Sequence, residues 1–145
     1  QKAAWVRYVC AGLEAAFDES VIKKIRAGCY CELNMAECRE WIVNLYDEAT
    51  DFEAFVNTMN ELAGGWYLKD GALYTTFFYC SCPMLNGIEK LDTKTWCYCT
   101  AGYTKKLLGS IFNCEIAAEL VESIKLGHEK CLVKIMFPQG IPKTD

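Results

Sequence analysis

Three Cys-x-Cys pairs carry the most chemistry in this sequence: Cys29/Cys31, Cys80/Cys82 and Cys97/Cys99, with Cys131 as a seventh candidate among ten cysteines. Cysteines that alternate with one intervening residue strain a mutual disulfide but can share a metal ion. Zinc and iron–sulfur centres want thiolates arriving from separate segments. Each pair falls where an element is expected to end: a loop after a helix, the end of a strand, the start of a helix. At the helix start, unpaired backbone N–H groups are expected to favour the thiolate of Cys97 and Cys99. No close Cys-x-x-Cys knuckle accompanies them. Zinc is therefore the expected metal, with Cys80, Cys82, Cys97, Cys99 and Cys131 as ligands, and an iron–sulfur cluster stands second. Cys10, Cys38 and Cys114 read instead as small buried packing residues.

The remaining chemistry is sparse. His128 is the single histidine and falls in the turn Leu126-Gly127-His128-Glu129, where a solvated role is expected. No Gly-x-Ser-x-Gly elbow, phosphate-binding glycine loop or dinucleotide fingerprint occurs. Glu122 is the best candidate acid or base. Nine aromatic residues between Trp66 and Tyr103 either build core or line an apolar pocket with tyrosine hydroxyls as its polar groups. The expected ligand-binding set is Tyr74, Phe78, Tyr98, Tyr103 and Glu122, and the expected ligand is a small apolar or aromatic molecule.

These residues need a frame. Apolar steps of three and four place helices on Val6, Val9, Leu13 and Phe17, on Val21 and Ile25, on Cys38, Trp41 and Leu45, and on Phe52, Phe55, Met59 and Leu62. Asp18 and Asp51 stand at helix starts, and Gly28 and Gly64-Gly65 at ends. The period then changes. Trp66-Tyr67-Leu68 and Leu73 to Tyr79 read as a hairpin turning at Lys69-Asp70-Gly71. A helix follows from about Cys97 to Phe112, capped by Thr93 or Thr95 and stopped at Asn113. Glu115 to Ile124 and Cys131 to Phe137 read as strands, and Pro138 to Asp145 as a polar tail. Helices followed by strand–strand–helix–strand–strand imply an α+β fold, an antiparallel sheet with a covering helix. Residues 1–65 form the helical part and 66–138 the α+β part of one compact domain.

Hydrophobic residues make up 52% of the chain and charged residues 23%, which excludes global disorder. A net charge of −4 without a basic stripe excludes nucleic acid as a partner. No apolar run approaches the roughly 20 residues that span a bilayer, and no signal-peptide layout is seen, so no membrane partner is expected. A core this large needs no cross-links, so the cysteines are expected to be reduced and the location cytoplasmic.

The run Trp96 to Tyr103, then Val121-Glu122-Ser123, then Gly127-His128-Glu129-Lys130-Cys131 and an alternating strand, resembles the 4-vinyl-reductase-type small-molecule-binding domain over roughly the last sixty residues. That resemblance implies the fold of nitric-oxide-sensing domains and TRAPP-type trafficking subunits. In zinc-bearing members a cysteine precedes the helix, a glutamate and a cysteine lie on the next strand, and a cysteine follows the turn. Cys97 and Cys131 match the first and last; Leu120 stands where the glutamate would be and Ser123 where the cysteine would be. Half of that site is missing, and Cys80, Cys82 and Cys99 are the nearest replacements. The whole chain also resembles a cysteine-rich family of anaerobic bacteria carrying Cys-x-Cys-Pro, Cys-Tyr-Cys-x-Ala-Gly and Val-Glu-Ser-Ile, here Cys80 to Pro83, Cys97 to Gly102 and Val121 to Ile124. Relatives of that family resemble aminothiazoline-carboxylate hydrolases.

Three functions follow as expectations. A binding or sensor-like protein with a thiolate site comes first. A hydrolase of a small heterocyclic or amide substrate, using a cysteine or a thiolate-bound metal, is the alternative enzyme. A structural or partner-binding subunit, a homodimer included, is the third.

Overall fold

A computed structural model describes residues 1–144; Asp145, the end of the polar tail, lies outside the described residues. The order is α1 (Lys2–Ala16), α2 (Glu19–Ala27), α3 (Met35–Glu48), α4 (Phe52–Ala63), β1 (Tyr67–Lys69), β2 (Ala72–Phe77), α5 (Cys99–Phe112), β3 (Ala117–Glu122) and β4 (Cys131–Met136). The sheet is antiparallel in the order β1-β2-β4-β3. The fold is the α+β arrangement the sequence implies.

Local chemistry sets most boundaries. The Asp18 carboxylate accepts from Val21 N–H at 3.0 Å and the Asp51 carboxylate from Ala54 N–H at 2.8 Å, each satisfying a donor that the first helical turn leaves open. Asn113 ends α5 in the left-handed region. Lys69 pairs with Ala72 across Asp70 and Gly71, both at positive φ, which makes a two-residue turn whose twist suits a hairpin.

The core lies between the helices and one sheet face. Leu73, Val133 and Ile135 have no exposed surface, and Leu108 and Ile111 of α5 belong to the same buried cluster. Tyr46, Phe52, Phe55 and Phe112 add an aromatic cluster with centroids 5.1–6.3 Å apart. Sheet and helices therefore meet side chain to side chain.

Several stripes fall one residue away from expectation. α2 buries Ile22 and Arg26 and leaves Val21 and Ile25 exposed. α3 buries Ile42 and Tyr46, with Trp41 exposed. Leu62 of α4 is exposed, and Phe17 is exposed beyond the end of α1. Arg26 explains the shift in α2. Its guanidinium donates to the Trp96 and Thr95 carbonyls at 2.6 and 3.3 Å and lies 4.4 Å from the Trp96 ring centroid. Its charge is satisfied in the interior, and the apolar pattern cannot register that. The predicted strands are also shortened. β2 ends at Phe77, leaving Phe78 and Tyr79 exposed, and β3 ends at Glu122, with Ile124 in a 3-10 turn.

Candidate thiol centre

The thiols gather at one end of the sheet. Phe77 pairs with Cys131, so Cys80 follows three residues beyond that rung. Leu132 pairs with Glu122, which brings Ser123 beside the start of β4, and the Ile124 N–H donates to the Cys131 sulfur at 3.4 Å. A 3-10 turn, Thr95–Tyr98, leads into α5 at this same end. The Thr93 hydroxyl accepts from Thr95 N–H at 3.1 Å and fixes the start of the turn. Cys97 lies in that turn and Cys99 opens α5.

Within this end, Cys80, Cys97 and Cys131 are electrostatic neighbours, and the Ser123 hydroxyl lies against both Cys97 and Cys131. Ser123 is fully buried. Its oxygen has no hydrogen-bond partner of ordinary geometry. A buried hydroxyl left this way costs about 1–3 kcal/mol. Cys99 has different neighbours: Cys82, Cys31 and Cys29, together with the Arg26 charge. All ten cysteines are free. Among the described residues, no three His, Cys, Asp or Glu side chains stand in metal-ligating geometry.

The helix start does not lower these thiols as expected. Burial pushes Cys97 up to about 12 and Cys99 up to about 11, and burial also raises Cys131. Desolvation of the charged form outweighs the partial charges of the helix end. The stability consequence has a definite sign. Unfolded thiols ionise near 9.0, whereas folded Cys97 holds its proton to about 12. The folded state therefore binds this proton more tightly, so stability is flat below about pH 9 and falls as pH rises toward 12. Urea midpoints of chelator-treated protein should drop across that window, and less steeply in Cys97→Ala. A midpoint independent of pH there would contradict the burial of Cys97.

The aromatic set does not share a cavity. Tyr74 stacks on Tyr67 at 5.0 Å on the sheet face opposite the core. Phe78 is 58% exposed. The Tyr103 hydroxyl donates to the Leu33 carbonyl at 3.2 Å. Tyr98 borders two hollows. It lines a cleft of about 80 Å³ with Ala27, Ala101 and Leu120, and a shallower hollow of about 270 Å³ with Glu14 and Thr95. Burial and the neighbouring Glu19, whose carboxylate accepts from its hydroxyl at 3.2 Å, push the Tyr98 phenol up to about 12.

Strict alternation along β3 would put Glu122 on the same face as Leu120. A bulge at Val121 leaves Leu120 opposite Val133 but Glu122 opposite Leu132, so Glu122 no longer shares the Leu120 side of the strand. It is part-exposed. His128 is exposed, and its ring accepts from the Ser123 N–H at 3.0 Å, closing the turn onto Ser123. Cys10 is buried on α1, and Cys38 and Cys114 are part-buried. Sequence reasoning missed the role of Arg26 and the neighbourhood of Cys29 and Cys31 with Cys99. Gly102, three residues after Cys99, was the available signal for a close backbone approach there.

No curated protein matches the chain. Among solved structures it is similar to trafficking protein particle complex subunit 3 from Naegleria fowleri, covalently bound to palmitic acid. The TM-score is 0.54 at 10% identity, over 97% of this chain and 94% of that one. That likeness extends the TRAPP-like fold to the whole chain. A family described as "Family of unknown function (DUF6144)" matches residues 1–141, and the chain belongs to it.

Proposed function

We propose that this chain is a sensor-like binding module whose working centre is Cys80, Cys97 and Cys131 around Ser123, with zinc as the occupant. The observation that carries this reading is the buried Ser123 hydroxyl, without a proper partner, beside thiols delivered by three separate segments. The donor chemistry fits a soft divalent ion. Bound zinc would hold the loop after β2, the turn before α5 and the start of β4 together, so that gain or loss of the ion alters the end of the sheet. A small ligand has the adjoining Tyr98 cleft available. At about 80 Å³ that cleft suits a fragment and not a fatty chain like the palmitate of the trafficking subunit.

The hydrolase reading is weaker. Burial keeps the Cys97 and Cys99 thiols protonated at neutral pH, so neither is a ready nucleophile. The part-exposed Glu122 has left the Leu120 face. A partner-binding subunit stands between the two readings, favoured by the consecutive exposed residues Phe77, Phe78 and Tyr79.

Metal analysis of protein purified without oxygen tests the proposal. The expected result is bound zinc that is lost in Cys97→Ser and Cys131→Ser and kept in Cys10→Ser. Protein that stays metal-free after exposure to zinc, with all thiols reduced, would overturn it.

A further inference from the structure

We infer that the hollow between the end of α1, the start of α2 and the Thr95–Tyr98 turn binds a small organic ammonium ion with an apolar body. Such a ligand rests on the binding-module reading but not on its zinc centre.

Three segments build the hollow, which measures about 270 Å³. The end of α1 brings Glu14 and Phe17, α2 brings Glu19 and Ile22, and the turn before α5 brings Thr95 and Tyr98. The volume lies just below the roughly 300–1,000 Å³ of ordinary ligand pockets, so it suits a small molecule. Ile22, Thr95 and Tyr98 are buried and form its floor, and Phe17 is exposed at its rim.

The charge of the hollow calls for a cation. The Glu19 carboxylate is offset by Lys23 at 3.2 Å and accepts from the Tyr98 hydroxyl. Glu14 has no cationic partner among the described residues. It also stands in the last turn of α1, where helix carbonyls already place partial negative charge and no basic residue answers it. Lys23 lines the smaller cleft and not this hollow.

Glu14 is also held in place. The Thr95 N–H donates to the Thr93 hydroxyl at 3.1 Å, that hydroxyl donates to the Thr95 hydroxyl at 3.1 Å, and the Thr95 hydroxyl donates to Glu14 Oε2 at 2.7 Å. Thr95 is 4% exposed, so the chain of bonds runs from the interior to the hollow. It fixes Oε2 and leaves Oε1 to accept from a ligand. An acceptor oriented in advance lowers the cost of binding. A hard metal ion wants six or more oxygens, and two carboxylates, one already engaged, are too few. Phe17, Tyr98 and Ile22 instead offer apolar surface, and an aromatic face attracts an ammonium group as well. Carboxylate beside aromatic ring is the donor set for an organic cation.

Titration of chelator-treated protein with benzylammonium, followed by backbone amide shifts in NMR spectra, tests this. Benzyl alcohol and benzoate serve as neutral and anionic molecules of nearly the same shape. Benzylammonium should shift the amides of Phe17 and Thr95–Tyr98 saturably. It should bind about tenfold more tightly than the alcohol, or better, the effect of one charge-assisted hydrogen bond, and benzoate should not bind. Glu14→Gln should remove that preference without disturbing the turn, because glutamine keeps an oxygen for the Thr95 hydroxyl. Glu61→Gln, which removes an exposed carboxylate from α4, should leave the preference intact. Equal binding of the alcohol or benzoate, an unaltered preference in Glu14→Gln, or no saturable shift at these amides would each overturn the site. Because zinc is absent throughout, such a failure does not touch the Ser123 centre, and a chain that never binds zinc would still be expected to bind benzylammonium.

Discussion

Gly102→Ala should destabilise the protein by about 3 kcal/mol or more, the upper range for forcing an extra methyl into a filled interior, or abolish its cooperative unfolding. In a helix this exchange normally stabilises, by up to about 1 kcal/mol, because alanine restricts the unfolded chain. Here the sign reverses. The new Cβ would stand 1.9 Å from the Ala27 oxygen, 2.7 Å from its carbonyl carbon and 2.9 Å from its Cα. All three atoms belong to the backbone of α2, so no side-chain rotation relieves the clash. Either α2 moves away from α5 or the first turns of α5 distort. Gly12→Ala is the control, because a Cβ on Gly12 in α1 meets nothing within 4 Å. Thermal melts of the two variants should shift in opposite directions, with Gly12→Ala slightly above the parent. If Gly102→Ala melts at or above the parent, α2 and α5 do not approach as described.

The same contact explains what the sequence could and could not reveal. Local signals were legible. Asp18 and Asp51 cap helices, Asp70-Gly71 turns the hairpin, and Asn113 stops α5. Each works through its own backbone neighbours. The buried face of β4 was legible too, since alternation in Val133 and Ile135 marks it. Features set by distant partners were not. Nothing within α2 says that Arg26 turns inward to the Trp96 carbonyl, so the stripe was placed on Val21 and Ile25. Nothing within β3 announces the bulge at Val121 that takes Glu122 off the Leu120 face. The aromatic density from Trp66 to Tyr103 does not distinguish a pocket from a filled core, and the structure distributes those rings among core, outer sheet face and solvent. For the cysteines, element ends suggested one cluster of Cys80, Cys82, Cys97, Cys99 and Cys131, of which Cys80, Cys97 and Cys131 are electrostatic neighbours. That Cys99 has Cys82, Cys31 and Cys29 as its electrostatic neighbours depends on how α2 packs on α5, which only the folded chain specifies.

Ser123→Cys should tighten zinc binding at the proposed Ser123 centre by more than the roughly 10–100-fold that outer-shell partners of a metal contribute, because it changes a ligand itself. The Ser123 oxygen is fully buried beside Cys97 and Cys131, with Cys80 next to both. A neutral hydroxyl is a weak zinc ligand, whereas a thiolate completes a four-sulfur tetrahedron. Ser123→Ala separates the metal argument from simple stability. With the ion removed, alanine eliminates an unsatisfied buried hydroxyl and should stabilise the chain by about 1 kcal/mol. With zinc present, that advantage should shrink, because the oxygen then has the ion as a partner. Competition against a colorimetric chelator reads affinity in all three proteins, and urea melts with and without zinc read the linkage. If Ser123→Cys holds zinc no more tightly than the parent, Cys80, Cys97 and Cys131 do not surround an ion. If Ser123→Ala is destabilised without metal, the hydroxyl has a partner after all, and the main support for an occupant at that end of the sheet is gone.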